Sequence, residues 1–384
     1  MKARICYQGI AMTDMNTYLK LMVERSASDL FLTTGAPPSI KVDGEIFALN
    51  VPKLVVGEVK EIAERIMTAE QRKQFASTME CNFSWSCKDL GRYRINVYHQ
   101  RGEVAMVMRM INSQIADFEA LGLPAKVAEL AMLKRGLVLV VGAAGAGKST
   151  TLAAMIKYRS THAEGHILTI EDPIEFLFPH ARSMVDQREV GIDTLTFGEA
   201  LRNALREAPD VIMLGEIRDR ETAQHSITYA ETGHLCISTM HANNANQAID
   251  RLINFFPEEA HKQILLDLSM NLKGVVSQRL VPAIKQKRVL ALEVLLQTSF
   301  ISELMQRGRL SEIKDAMSKG NEEGIVTFDQ SLFALYLAGK ISAETAIQNA
   351  DSSTDLSLRI RLSERHSTSD APAFTIDAMD NQKF

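Results

Sequence analysis

The sequence predicts an α/β protein in which a small N-terminal domain precedes a larger nucleotide-binding one, and three observations carry that reading. Residues 142–149 read Gly142-Ala-Ala-Gly-Ala-Gly-Lys-Ser149, set between a short Val-rich run and a helix-forming one. Downstream, apolar runs alternate with segments of helical spacing, which predicts a parallel sheet covered on both faces. Upstream, strand-like runs and helical stretches are separated by Gly-, Pro- and Asp-containing turns. A length of 384 residues accommodates two domains or one large one.

Residues 14–111 form the first domain. Asn16–Glu24 has the spacing of a short amphipathic helix, and Leu30–Thr33, Ile40–Val42 and Ile46–Leu49 read as strands. Val59–Ile66 and Ala69–Phe75 are helical by periodicity. Asn82–Ser86, Tyr93–Tyr98 and Ala105–Met110 alternate like sheet strands. Residues 112–120 are a linker, 121–363 the nucleotide-binding domain with a helical C-terminal part, and 364–384 a polar tail that loses periodicity and is expected to be disordered.

Composition narrows the function. The chain is 46% hydrophobic and 23% charged with a formal net charge of −4, so it has no global attraction to nucleic acid or anionic lipid. No apolar run approaches the roughly 20 residues that span a bilayer. The start has two basic residues but no apolar core, which argues against a signal peptide; Met1, Met12 and Met15 remain alternative starts. Cys6, Cys81, Cys87 and Cys236 make no C-x-x-C pair and have no histidine at metal-ligand spacing. These features point to the cytoplasm.

The chemistry centres on the glycine-rich stretch. Gly136–Val141 is apolar, as a buried parallel strand should be, and Thr150–Lys157 continues as helix. Strand, glycine turn and helix N-terminus make an anion cradle from backbone N–H groups and the helix dipole. Gly142, Ala143, Ala144, Gly145, Ala146, Gly147, Lys148, Ser149 and Thr150 are therefore the candidate nucleotide-binding set, with ATP as ligand. Lys148 reaches the β/γ-phosphates and the Ser149 hydroxyl serves Mg²⁺.

Three further strands each bring a polar residue. His166–Ile170 ends in Glu171-Asp172-Pro173, where acidic side chains stand either at a ligand crevice or simply as a turn starter. Val211–Gly215 is followed by Glu216, a carboxylate in the Walker B role that polarises the attacking water or holds a water on Mg²⁺. Arg218 and Asp219 read as a cap for the next helix or a pair across a subunit boundary. Leu235–Met240 is bracketed by His234 and His241, of which at least one is expected to sense the γ-phosphate. Hydrolysis also needs positive charge against developing phosphoryl oxygens, for which Arg92, Arg94, Arg101 and Arg109 are candidates.

These pieces in this order resemble the secretion-type hexameric ATPases and, within them, the PilT/PilU family of type IV pilus retraction motors. Leu205-Arg-Glu-Ala-Pro-Asp-Val-Ile-Met-Leu-Gly-Glu-Ile-Arg-Asp219 fits the superfamily signature throughout. Ile170–Glu175 is similar to its Asp box, and Ala230–His234 with His241 to its His box. Ser28–Pro38, Gln187–Gly191 and Leu272–Leu280 resemble retraction-motor segments. The resemblance implies a PAS-like domain followed by a RecA-like one, in a homo-hexamer that hydrolyses ATP with Mg²⁺. It also implies that Arg94, Arg101 and Arg109 approach the nucleotide and that Glu171 and Glu216 are the catalytic acidic positions. The cysteine positions exclude the tetracysteine zinc module of many extension motors. Phe300–Arg307 stands where PilT-type chains carry Ala-Ile-Arg-Asn-Leu-Ile-Arg-Glu, with Ser302 and Gln306 in place of arginines, so the accessory PilU-type branch fits better.

The expected function is thus an ATP-driven ring for pilus retraction and twitching motility at the cytoplasmic face of the inner membrane. Its expected partners are a PilT-type paralogous ring and a PilC-type platform protein, without nucleic acid and without membrane insertion. The alternative is a docking or force-supporting ring subunit with little ATPase activity of its own. A nucleic-acid motor would need a basic channel, which 6% aromatic content and no basic cluster oppose.

Overall fold

A computed structural model describes residues 15–320 and 323–368. The expectations for the first dozen residues, for Cys6 and for the tail beyond Thr368 lie outside the described residues. The chain forms two compact units. The first holds the N-terminal segment to Ile115 together with Glu171–Pro179 and Gln187–Ala200; the second holds Ala116–Ile170, His180–Asp186 and the remainder from Leu201. A continuous domain over 121–363 was expected, but the units are not collinear with the sequence. Within the first unit the reason is hydrogen bonding: Leu177 N–H donates to the Asn112 carbonyl at 3.0 Å, and the Ser84 hydroxyl donates to the Glu189 carboxylate at 3.3 Å.

The first unit is built on a six-stranded antiparallel sheet. Its strands are β1 (Asp29–Thr33), β2 (Ser39–Val42), β3 (Glu45–Ala48), β4 (Glu80–Cys87), β5 (Gly91–Gln100) and β6 (Glu103–Met110), in the order β3-β2-β1-β6-β5-β4. Period-two alternation sorts the faces: Tyr93, Ile95 and Val97 of β5 point into a core shared with Leu30, Leu32, Met106 and Met108. The helices Met15–Glu24 and Glu58–Ile66 add Tyr18, Leu19, Met22, Val59 and Ile62 to that core. Arg92, Arg94 and Asn96 consequently occupy the opposite, polar face of β5.

The second sheet has seven strands: β7 (Gly136–Gly142), β8 (Gly165–Glu171), β9 (Ser183–Glu189), β10 (Val211–Leu214), β11 (Leu235–Met240), β12 (Leu272–Pro282) and β13 (Arg288–Leu296). Their order is β13-β12-β7-β11-β10-β8-β9. The expected parallel sheet is present, since β12, β7, β11, β10 and β8 are parallel neighbours. It is not purely parallel, because β13 returns antiparallel to β12 as a hairpin. That hairpin was missed in the sequence because Leu272–Leu296 is interrupted by a polar Lys285-Gln-Lys turn and shows no clean alternation. Every residue of β7, β10 and β11 is buried, which explains their unbroken apolar runs. Cys236 is among them, and burial pushes its thiol far up.

The C-terminal helices Phe328–Leu337, Ala343–Asn349 and Ser353–Thr368 pack Phe328, Leu332, Ala346, Leu356 and Ile360 against Val281 and Ala291 of the hairpin. The last helix continues past residue 364, where the sequence loses apolar periodicity, because backbone hydrogen bonding propagates from the turn anchored by Leu356 and Ile360. Asp351 fastens this bundle: it accepts from Arg279 Nη2 at 2.6 Å and from Lys314 Nζ at 2.9 Å. Burial raises the Asp351 carboxyl, but the hydrogen bonds and charges of Lys314 and Arg279 outweigh it and hold the group below the usual carboxylate range. A carboxylate depressed by folding stabilises above its unfolded value, near pH 4, and ceases to do so as pH falls through the folded value. Asp351→Asn is therefore expected to cost about 2 kcal/mol at pH 7 and progressively less from pH 4 downward. Thermal melts across pH 3–7 test this; a gap between the two proteins that stays constant over that range would exclude the ion network.

Candidate ATP-hydrolysis site

The glycine-rich loop joins β7 to the helix Lys148–His162. Its glycines meet two different demands. Gly142 lies opposite Gln278 of β12, and a Cβ there would sit 2.7 Å from the Gln278 carbonyl oxygen and 2.9 Å from Ala146 Cβ. Gly147, the helix N-cap, has φ 88°, a left-handed conformation costly for any residue with a Cβ. Lys148 Nζ donates to the carbonyls of Gly142 and Ala143, each at 3.0 Å, so its ammonium lies across the mouth of the loop. Ala143, Ala144 and Gly145 are exposed, while Ser149 and Thr150 are half-buried on the first helical turn. Behind them the buried Gln278 amide donates to Thr151 Oγ1 at 2.9 Å and ties the helix to β12.

The neighbouring strands deliver two of the expected side chains to this edge. β11 runs beside β7 with Met240 opposite Val141, so His241 emerges at the level of Gly142. β10 pairs on the other side of β11 with Leu214 opposite Ser238, and Glu216 follows two residues on. The segment after β10 is pinned: Thr239 Oγ1 donates to the Gly215 carbonyl at 2.7 Å, and Ile217 N–H donates to the Thr239 carbonyl at 2.8 Å. Glu216 and His241 then face one another, with His241 Nε2 3.7 Å from a Glu216 carboxylate oxygen. A cleft of about 460 Å³ opens here, lined by Gly142, Ala143, His241, Asn243, Asp250 and Arg251. A larger cavity of about 690 Å³ lies past the helix start, against Leu121, Gly147, Thr150, Leu280 and Arg288.

His234 is not part of this edge, which corrects its placement as a phosphate-sensing candidate. It precedes β11, and its carbonyl accepts from Gly136 N–H at the start of β7. A six-residue strand separates the two histidines by roughly 20 Å, so only His241 reaches the loop. Asp219 caps the helix Arg220–Glu231 through a reciprocal bond pair with Thr222, as one of its two expected roles required.

Glu171, the last residue of β8, is buried, and one carboxylate oxygen accepts from Gln187 Nε2 at 3.0 Å. On the first sheet, Arg94 and Arg109 are directly opposed on β5 and β6. Two like charges opposite each other on adjacent strands destabilise a sheet. One is partly compensated, since Arg109 Nε donates to Asp29 at 2.7 Å. Arg101 sits apart in the tight turn between these strands, with φ 52°, some seven residues or roughly 20 Å along β5 from Arg94. Arg92 is committed elsewhere, 3.8 Å from the buried Glu189.

Comparison with known proteins shows the family. The family model for the Type II/IV secretion system protein matches residues 9–325. The chain belongs to the type II/IV secretion system protein family. Among its relatives in that family, the chain is 49% identical over 345 residues to the Type IV pilus ATPase PilU of Pseudomonas aeruginosa, covering 90% of each chain. It is 41% identical over 337 residues to the Type IV pilus retractation ATPase PilT of the same organism, covering 88% of this chain and 98% of that one. The solved structure of the pilus retraction motor PilT with bound ADP superposes with a TM-score of 0.82 at 41% identity, covering 88% of this chain and 97% of that one. The Legionella pneumophila ATPase DotB gives 0.74 at 26% identity, covering 86% and 93%. The chain is thus a PilT/PilU-type ATPase of this secretion family. Among the described residues no helix is long and apolar enough to cross a membrane.

Where PilT-type members of the family are expected to carry arginines, the helix Ser299–Gln306 presents neutral groups. Ser302 Oγ donates to the Ser269 carbonyl at 2.9 Å, and Gln306 is exposed. Gln187, Gln278 and Arg279 fell within segments that resemble the family, but the sequence assigned none of them a role of its own. For Gln278 a weak signal existed: it follows the apolar pair Val275-Val276, and an amide buried in such a strand needs a partner.

Proposed function

We propose that this chain is the subunit of a hexameric, Mg²⁺-dependent ATP-hydrolysing motor for type IV pilus retraction, working as the PilU-type companion of a PilT-type ring. The observation that carries it is the meeting of Glu216 and His241 at the mouth of the Lys148 loop. Lys148 and the loop amides hold the β/γ-phosphates, and the base and ribose go to the cavity past Thr150. Glu216 polarises the attacking water, and His241 contacts the γ-phosphate and orients Glu216. Ser149 would hold Mg²⁺, since hard oxygen donors suit that ion; when bound, it neutralises charge on the phosphate oxygens. Arg94, Arg101 and Arg109 meet phosphate oxygens in the assembled ring, where added negative charge relieves the repulsion between the opposed Arg94 and Arg109 that Asp29 only partly offsets. The ring works at the cytoplasmic face of the inner membrane on a PilC-type platform protein.

A second reading is a docking or force-supporting ring with little turnover of its own. It is favoured by the neutral Ser302 and Gln306. Purified chain assayed alone and with a PilT-type ring separates the two, since an autonomous motor turns over alone. For the function itself, cells lacking the chain should assemble pili yet lose retraction under load, and parent but not Glu216→Gln protein should restore it. Restoration by both would sink the motor reading.

A further inference from the structure

We propose that Gln187 is a positioning residue that sets the orientation of the Glu171 carboxylate. The inference rests on the reading of Glu171 as a catalytic acidic residue. Glu171 is 6% exposed, so water does not decide where its carboxylate points; its hydrogen-bond donors do. Gln187 uses both amide protons and its carbonyl oxygen nearby. Nε2 donates to Glu171 Oε1 at 3.0 Å and to the Phe176 carbonyl at 2.9 Å, while Oε1 accepts from Phe178 N–H at 2.9 Å. The Phe178 N–H requires an acceptor, which fixes which end of the amide faces Glu171. The backbone repeats the link, because Val190 N–H donates to the Glu171 carbonyl at 2.9 Å.

The support of Gln187 is itself held. On β9 alternation puts Gln187 and Glu189 on one face, two residues apart. Glu189 is buried and takes the Ser84 hydroxyl at 3.3 Å and the Arg92 guanidinium at 3.8 Å, from β4 and β5 of the same compact unit. Its own N–H donates to Asp193 Oδ2 at 2.9 Å and closes the turn after the strand. Gln187 therefore presents its N–H from a strand end with little freedom to move, and the catalytic carboxylate inherits that placement.

The two ends of the amide separate positioning from mere turn-shaping. Gln187→Glu keeps the acceptor for Phe178 N–H but turns a like charge on Glu171; Gln187→Met loses donor and acceptor at similar size. In the assembly in which the parent chain turns over, we expect Gln187→Glu to lose roughly ten- to hundredfold in kcat. ATP Kd should stay within about twofold, because phosphate binding is untouched. Gln187→Met should fall comparably, and neither change should lower kcat further in a Glu171→Gln background. Parent-like kcat for Gln187→Glu, with lost turnover in Glu171→Gln, would overturn the inference alone. Full turnover in Glu171→Gln would instead overturn its premise, and the inference with it.

Discussion

Glu216→Gln is expected to cut steady-state ATP turnover by about a hundredfold or more while ATP stays bound. The substitution keeps size and hydrogen-bonding reach, so the segment pinned by Thr239 and Ile217 should hold its path. What it removes is the negative oxygen 3.7 Å from His241 Nε2 that can draw a proton from water. Single-turnover and steady-state assays beside equilibrium ATP binding distinguish the cases. Turnover within about threefold of the parent, with Mg²⁺ saturating, would move the general base elsewhere.

Lys148→Ala acts one step earlier. The Lys148 ammonium bridges the Gly142 and Ala143 carbonyls at 3.0 Å and is the group placed to meet β/γ-phosphate charge. Losing a charge-assisted pair of this kind costs about 3 kcal/mol, so ATP affinity should fall roughly a hundredfold. Lys148→Arg should not rescue binding, because a planar guanidinium does not replace a compact ammonium in a loop of this tightness. Titration with a fluorescent ATP analogue reads both variants. Near-parent affinity in Lys148→Ala would mean that the backbone amides carry binding without it.

Much of this site was legible because its parts are local. The loop's strand, glycines, lysine and helix are contiguous, so their chemistry needs no long-range contact to be read. Glu216 was legible by its place after an apolar strand, and Asp219 by its place before a helix, as the capping pair with Thr222 bears out. The two histidines were a different case. Their sequence positions already forbade a common destination, since six intervening strand residues hold them apart. Gln187–Gly191 stood out only as a matching segment, and the contacts of Gln187 were invisible because Glu171, Phe176 and Phe178 are met through a return of the chain rather than through helical or strand spacing.

By itself, the sequence determined the α/β class, the strands and helices of the first unit, the strands β7, β8, β10 and β11 of the second, the glycine-rich loop and the acidic residues at two strand ends, because each follows from local periodicity and turn chemistry. Tertiary structure alone decided the rest. It set the order β13-β12-β7-β11-β10-β8-β9, which puts β11 between the loop strand and the Glu216 strand and so brings His241 and not His234 to the loop. It opposed Arg94 with Arg109, grouped Glu171–Pro179 and Gln187–Ala200 with the N-terminal unit, and joined Arg279 and Lys314 on Asp351. Apart from the hairpin pair Arg94–Arg109, these pairings join residues far apart in the chain. Buried strands with near-uniform apolar runs offer little in sequence to distinguish one neighbour from another, so only the packed sheet selects among them.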